Sequence, residues 1–291
     1  MLGRRKPFFS IDTGFRPIEK FGGLIHQSVM PLVSLSKGGV NALGSAFVVH
    51  PGGILVTAKH VIQGALPDSK FREQIYALYV SNRKHKDGSG NHIGGLIPVT
   101  KEAWSLELDI AYCLLQPMVN KDTGKQLLFP SFSVTAKPPR VGENILAIGY
   151  YNNHFDEIRH ENGQIKVSNS REGVSTTGIV IEVFLNKRDS GMLSFPCFQS
   201  SSQYEPGMSG GPIFGEAGYV CGVVCSGLRE NSSSNEFVTY GSILGPSFAY
   251  NLKGWFADKN PAHDVLVSDL INEGAIRSEA KLATGLSSHK Q

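Results

Sequence analysis

A serine flanked by glycines is the strongest candidate for a nucleophile in this chain. Ser209 lies in residues 206–212, PGMSGGP. Glycines permit a sharp turn that presents the hydroxyl at the surface. They also let neighbouring backbone N–H groups converge on one point, as an oxyanion hole requires. A Gly/Ser turn alone is common in loops, but the apolar run 220–224 that soon follows favours a nucleophile.

A histidine follows the apolar run 54–56, within residues 54–62, ILVTAKHVI. A serine hydroxyl is a weak nucleophile that needs an adjacent base. His60 suits that task, because the unperturbed pKa of histidine is about 6.5. The chain has 9 histidines, so this pattern alone leaves a structural role for His60 open.

An acidic residue precedes a third apolar run, within residues 106–113, LELDIAYC. Asp109 adjoins the run and is expected to be partly buried, where a carboxylate must be paired and hydrogen-bonded. An imidazole N–H is a suitable partner, and the carboxylate would hold the ring in one tautomer. A turn-capping aspartate is the alternative, and Glu107 is the competing acid.

The three motifs, T-A-x-H, D-I-A and G-x-S-G-G-P, resemble those of the chymotrypsin/trypsin-like serine peptidases over residues 28–245. The resemblance implies that His60 is the general base, Asp109 its orienting acid and Ser209 the nucleophile. It also implies that the N–H groups of Gly207 and Ser209 form the oxyanion hole. The expected function is therefore a serine endopeptidase that forms an acyl-enzyme and acts on protein or peptide substrates.

The same resemblance indicates where a substrate binds. The substrate-binding residues that it implies are Gln203, Val224, Cys225, Ser226 and Gly227. Residues 225–227 match the strand that pairs with the substrate backbone, which is strand addition to a sheet edge. An uncharged Gln203 floor and an apolar Val224 wall favour an apolar or small uncharged P1 residue. A shift of alignment would instead bring Glu205 to the pocket.

Departures from the secreted digestive enzymes refine the resemblance. Met208 stands where those enzymes carry an aspartate that captures a new N-terminus, so no activating cut is expected. The disulfide framework and a C-terminal PDZ-like domain are also not expected. The chain is therefore similar to bacterial stand-alone and HtrA-type peptidases. Two alternatives stay open: a latent protease released by a regulatory protein partner, and a catalytically silent peptide-binding module.

The four cysteines are expected to be reduced thiols of the core. Cys221 and Cys225 share an apolar run, where their Cα atoms would lie ~13 Å apart if extended. A disulfide needs less than about 7 Å, so this pair cannot form one. No Cys/His motif with metal-ligand spacing occurs along the sequence. Neither a metal nor any other cofactor is therefore expected.

Composition limits the partners and the compartment. The formal net charge is +3, too small and too scattered to favour nucleic acid, and the basic cluster 83–86 is interpreted as a solvated hairpin loop. No signal-peptide or transmembrane run is present. We therefore expect a cytoplasmic protein that does not bind membranes.

Short apolar or alternating runs bounded by turn residues recur along the chain and predict an all-β fold. Predicted strands lie at 30–35, 46–50, 54–58, 75–80, 93–99, 110–115, 145–150, 164–168, 178–184, 219–225 and 237–242. With the resemblance, this becomes two six-stranded antiparallel β-barrels of the chymotrypsin-like kind with a short C-terminal helical extension.

The predicted domains follow from composition and the resemblance. Residues 1–27 form an N-terminal extension, and residues 28–250 form the protease domain. Within it, residues 28–116 form the first barrel, 117–140 a proline-rich linker and 141–250 the second barrel. Residues 251–291 form the extension and tail, with a helix that Asn260-Pro261 begins and Gly274 ends.

Overall fold

The computed structural model describes residues 15–18, 24–36, 39–65, 74–84, 92–119, 123–161, 164–229, 237–255 and 264–279. Within these ranges the chain is mostly antiparallel β-structure with four short helices. The helices are α1 (Leu24–Ser28), α2 (Lys59–Gln63), a 3₁₀ helix (Gly245–Ala249) and α3 (Val267–Glu273). In the described part of the chain, no helix is long and apolar enough to cross a membrane.

The first half of the chain forms a closed six-stranded barrel. Its strands are β2 (Val29–Ser36), β3 (Gly39–His50), β4 (Ile54–Thr57), β5 (Gln74–Lys84), β6 (His92–Trp104) and β7 (Ala111–Leu115). The order around the barrel is β2-β3-β4-β7-β6-β5, and β5 pairs back to β2. All four residues of β4 are buried, as expected for a β-branched run inside a small barrel.

The second half forms another closed ring of six antiparallel strands. Its strands are β8 (Asn144–Glu161), β9 (Gln164–Phe184), β10 (Cys197–Ser200), β11 (Pro212–Phe214), β12 (Val220–Arg229) and β13 (Phe237–Ile243). The order is β9-β10-β13-β12-β11-β8, and the long β8–β9 hairpin closes it. A further short strand, β1 (Phe15–Pro17), pairs with β9.

The C-terminal segment packs in the apolar cluster that holds residues of the second barrel together with the core of the first barrel. Val267, Leu270 and Ile271 of α3 are buried in the same apolar cluster as the core of that barrel. Gly274 ends the helix with a φ of +84°, the left-handed conformation that glycine adopts most readily. Beyond it, Ser278 forms an isolated bridge with Val134.

The predicted fold class, two barrels with a C-terminal helix, is confirmed. Two details were wrong. The runs 164–168 and 178–184 belong to the single strand β9, because the residues between them stay paired with β8. The helix begins at Val267, since Leu266 is extended and bridges Asn251. The predicted cap Asn260-Pro261 lies outside the described residues, as do 85–91 of the basic loop.

Candidate active site

His60 is positioned by the change from β4 to α2. Ala58 is still extended, with φ −77° and ψ 142°, and α2 begins at the next residue. The histidine therefore occupies a short helix at the mouth of the first barrel, with 45% of its side chain exposed. Exposure on one side and a rigid buried strand behind it suit a group that must meet a substrate.

Asp109 fixes the His60 ring from the loop between β6 and β7. Its Oδ2 lies 2.8 Å from Nδ1 of His60, and its Oδ1 accepts a 3.0 Å hydrogen bond from the His60 backbone N–H. Because a carboxylate only accepts, Nδ1 carries a proton, and in the neutral ring Nε2 keeps its lone pair. Asp109 is buried, whereas Glu107, the competing acid, is exposed. The structure thus brings Asp109 to the histidine.

Ser209 lies on the loop between β10 and β11, in the second barrel. Its hydroxyl donates a 3.3 Å hydrogen bond to the Cys225 carbonyl oxygen. Its own carbonyl accepts a 2.7 Å hydrogen bond from the N–H of Ser45, on β3 of the first barrel. Among the described residues, no hydrogen bond joins Ser209 directly to His60.

Ser45 ties the serine loop to the first barrel, and sequence reasoning missed it. Its hydroxyl donates to the Gly207 carbonyl oxygen at 2.8 Å and accepts from the Tyr150 N–H at 2.9 Å. The neighbouring Gly44 leaves the room for this contact, because a Cβ there would lie 2.7 Å from the Ser209 carbonyl oxygen. The pair Gly44-Ser45 at the head of a buried run was the available signal.

Gly210 is required for both conformation and space. Its φ is +88°, and an added Cβ would lie 2.0 Å from the Ser45 carbonyl oxygen and 2.2 Å from Thr57 Oγ1. The glycines of the serine motif therefore let this loop approach the first barrel at backbone contact. Gly207 also has a positive φ, of +97°.

Comparison with known proteins identifies the family. The family model described as "Trypsin-like peptidase domain" matches residues 44–223, a range that includes His60, Asp109 and Ser209. The chain belongs to the trypsin-like peptidase family. The resemblance inferred from the three motifs is thereby confirmed, and the chain is assigned to a family of protein-hydrolysing enzymes. No curated protein sequence matches it.

Solved structures similar to this trypsin-like chain include two proteases. One is "HtrA-type protease AlgW with decapeptide", at 17% identity and a TM-score of 0.45, with 74% of this chain and 62% of that chain covered. The other is the MamO protease domain from Magnetospirillum magneticum in its apo form, at 16% identity and a TM-score of 0.43, with 75% and 93% covered. The chain thus spans less than two thirds of the AlgW chain.

Cys225 contributes more to the site of this trypsin-like domain than the sequence indicated. Its thiol donates a 3.0 Å hydrogen bond to Oδ2 of Asp109, the oxygen that also faces His60. Burial, followed by the charge of Asp109, raises the pKa of this thiol well above its usual value. The side chain is therefore a neutral donor at physiological pH. Sequence reasoning assigned Cys225 only a backbone role and a place among the core thiols.

An open cavity of about 380 Å³ lies beside His60 and Asp109, and Ser209 is not among the residues that line it. Its lining residues are Lys59, His60, Asp109, Met192, Leu193, Ser194, Phe195, Cys225 and Ser226. One wall is thus largely apolar and comes from the segment between β9 and β10, which sequence reasoning did not single out. Exposed Met192, in a polar loop, was the available signal.

The predicted specificity residues do not all meet at this cavity. Cys225 and Ser226 line it, whereas Val224 is buried and its backbone hydrogen-bonds Gly210 and Gly211. Gln203 does not line it either. Its side-chain amide donates a 2.6 Å hydrogen bond to Glu205.

The remaining predicted residues lie on the loop before β11 and on strand β12. Gly227 pairs with Thr239 in the β12–β13 ladder. Among the hydrogen bonds of the described residues, none uses the N–H of Gly207 or of Ser209 as a donor.

All four cysteines are free and buried. Burial raises the pKa of Cys221 to about 12 and that of Cys197 to about 11. Such thiols remain protonated and are poor nucleophiles at neutral pH.

Proposed function

We propose that this protein is a serine endopeptidase that cleaves peptide bonds through an acyl-enzyme, with His60, Asp109 and Ser209 as its catalytic triad. The observation that carries the proposal is the double contact of Asp109 with His60, at 2.8 Å to Nδ1 and 3.0 Å from the backbone N–H. In the neutral ring this contact leaves Nε2 as the unprotonated nitrogen, as a general base requires.

The proposed reaction follows from that tautomer. The Ser209 hydroxyl turns from the Cys225 carbonyl towards Nε2 of His60, which takes its proton as the oxygen attacks the substrate carbonyl. The imidazolium that forms is stabilised by Asp109 and then protonates the leaving amine. Water, deprotonated by the same nitrogen, releases the acyl group.

The backbone around Ser209 supports stabilisation of the tetrahedral intermediate. The N–H groups of Gly207 and Ser209 are free of acceptors among the described residues, and Ser45 fixes the loop by holding the Gly207 carbonyl oxygen at 2.8 Å. Donors that are fixed before the reaction need no reorganisation when charge develops. We assign the oxyanion hole to these two groups.

The cavity beside His60 and Asp109 supports binding of an extended peptide. We propose that residues 225–227 pair with the substrate backbone by strand addition. Leu193 and Phe195 then offer apolar surface to a substrate side chain, next to His60. These contacts would place the scissile carbonyl between the two barrels.

Labelling with a fluorophosphonate probe tests the nucleophile. The wild-type chain should be labelled on Ser209, and Ser209→Ala should lose labelling and about 10⁶-fold in kcat, as in other triad enzymes, with an unchanged Tm. Ser201→Ala, an exposed serine on the same segment, is the matched control and should be labelled normally. An unlabelled but folded wild-type chain would contradict the proposal and favour a silent peptide-binding module.

A further inference from the structure

Three side chains of the site supply a mixed set of metal ligands. A ring nitrogen of His60, a carboxylate oxygen of Asp109 and Sγ of Cys225 all lie within 4.8 Å of one another. Nitrogen, oxygen and thiolate sulfur are the three ligand types that Zn²⁺ uses in proteins. A thiolate with an imidazole also favours Zn²⁺ over the hard cations Mg²⁺ and Ca²⁺.

We propose that His60, Asp109 and Cys225 form an inhibitory Zn²⁺ site. The inference rests on the proposed function, since the ion takes two of the groups assigned to hydrolysis. A bound ion holds His60 through Nδ1 and withdraws Asp109 from the ring. The histidine then loses the tautomer and the orientation that a general base needs, so binding of metal and hydrolysis exclude each other.

The separations of the ligand atoms are close to those that the ion requires. Oδ2 of Asp109 is 2.8 Å from His60 Nδ1 and 3.0 Å from Cys225 Sγ. Tetrahedral Zn²⁺ with bonds of about 2.0–2.3 Å separates neighbouring ligand atoms by roughly 3.3–3.7 Å. Each of these two pairs therefore has to widen by about half an ångström or slightly more, while the ring nitrogen and Sγ already lie within 4.8 Å of each other. Three protein ligands leave the fourth position to water.

Binding of Zn²⁺ at this site releases one net proton. The hydrogen bonds from Nδ1 and Sγ to the carboxylate are broken, and three bonds to the metal form in their place. The Cys225 thiol and the Nδ1 position each release a proton to solvent, while Nε2 gains one as the imidazole changes tautomer. One net proton leaves per ion. The charge of the ion offsets the buried carboxylate that otherwise disfavours a thiolate, and a coordinating thiol is deprotonated outright.

The ion can reach the site from solvent. His60 is 45% exposed, and the open cavity beside it is lined by all three ligand residues. The other three cysteines do not line this cavity. A thiol-dependent effect of Zn²⁺ on the site is therefore assigned to Cys225.

Calorimetric titration of the full chain with ZnCl₂ alone tests binding directly. The Ser209→Ala protein is the parent, because it keeps all three ligands while the nucleophile is absent. It should bind one ion that is lost, or weakened at least about 100-fold, when Cys225→Ser is added. Cys221→Ala, which removes a different buried thiol of the same strand, should leave this ion in place. Equal affinity with and without Cys225→Ser overturns the site.

Two further measurements keep the test decisive. If Cys225→Ser lowers the Tm sharply, His60→Ala replaces it, since His60 is exposed and its loss should also remove the ion. Cd²⁺ should give a thiolate-to-metal absorption band in the parent and in Cys221→Ala only. A band that persists without the Cys225 thiol contradicts the proposal.

A peptide-cleavage assay tests separately whether the bound ion inhibits the enzyme. Zn²⁺ at saturating concentration should abolish peptide cleavage by the wild-type chain, and EDTA should restore it. Cleavage that continues while calorimetry shows the site filled overturns inhibition. If the wild-type chain cleaves nothing without metal, the proposed function fails, and calorimetry on Ser209→Ala still decides the metal site.

Discussion

The carboxylate of Asp109 accepts hydrogen bonds from three donors in the site. It accepts from the His60 backbone N–H, from Nδ1 of the same ring and from the Cys225 thiol. Three donors satisfy a buried anion that would otherwise be costly. They also fix both carboxylate oxygens, so the His60 ring that hydrogen-bonds to them is held in one orientation.

Replacement of this carboxylate tests its role. Asp109→Asn should lower kcat by about 10⁴-fold, because an amide cannot accept from all these donors and favours the wrong histidine tautomer. Glu107→Gln, a change in an exposed neighbouring acid, is the matched control and should keep full activity. Steady-state kinetics with a Tm measurement check this. Equal losses of kcat in both variants would show that negative charge near the site matters, and not the contact between Asp109 and His60.

We expect the preference at P1 to follow from the cavity wall, where Leu193 and Phe195 are apolar. Gln203 lies outside this cavity, and Glu205 accepts its side-chain amide at 2.6 Å. A charged P1 side chain would be buried without a dedicated partner, which is costly. Cleavage of a peptide library should therefore favour apolar or small uncharged P1 residues. Strong preference for Arg or Lys would show instead that Glu205 lines the pocket.

At the scale of elements, the loop between β10 and β11 is held by backbone contacts on two sides. The N–H of Gly210 donates to the Val224 carbonyl oxygen at 2.8 Å, and the Ser45 N–H donates to the Ser209 carbonyl oxygen at 2.7 Å. The loop is thus fixed between β12 of its own barrel and β3 of the other. The loop keeps its position only while both of these backbone hydrogen bonds are formed.

Gly210→Ala should therefore disrupt the loop. The methyl group would meet the Ser45 carbonyl oxygen at 2.0 Å, so strain from overpacking of roughly 1–3 kcal/mol adds to the cost of the positive φ. Gly142→Ala is the matched control, with a φ of +82° and nothing within 4 Å of the added Cβ; it should cost only about 1–2 kcal/mol. Urea unfolding with probe labelling checks both. Equal free energies of unfolding would contradict the steric argument.

At the scale of the whole molecule, the site is shared between the two barrels. The first supplies His60 and Asp109, and the second supplies Ser209 and Cys225. The C-terminal segment adds Leu270 and Ile276 to the apolar cluster that holds the core of the first barrel and residues of the second. The groups of the site are therefore assembled only when both barrels are folded and docked.

The intact chain should be active without proteolytic trimming. Met208 is fully buried in the apolar core of the second barrel and packs against Gly149, so it offers no carboxylate to a newly made N-terminus. Full-length protein, verified by mass spectrometry, should react with the serine-directed probe. Labelling that appears only after N-terminal trimming would refute this. Labelling that appears only after addition of a partner would identify a latent protease.

Local patterns predicted much of the fold, and the resemblance of three motifs to a known family implied the candidate triad. Runs such as 54–58 and 110–115 are short, β-branched and bounded by turns, and they became β4 and β7. The short strands β10 and β11 were missed, because three or four residues carry too little alternation to stand out. Their pairing partners, which are distant in sequence, decide that they are strands.

The sequence by itself determined most of the strands and the order of the three motifs, and the resemblance of those motifs to a known family implied the candidate triad. The strands and motifs are set by neighbours along the chain, through hydrophobic alternation, glycine conformation and the proximity of an acid to a buried run. Only the tertiary structure decided that Ser45 would hold the serine loop and that Cys225 would share Asp109 with His60. Those contacts join residues from different strands and barrels, and their geometry depends on how the two barrels close and dock.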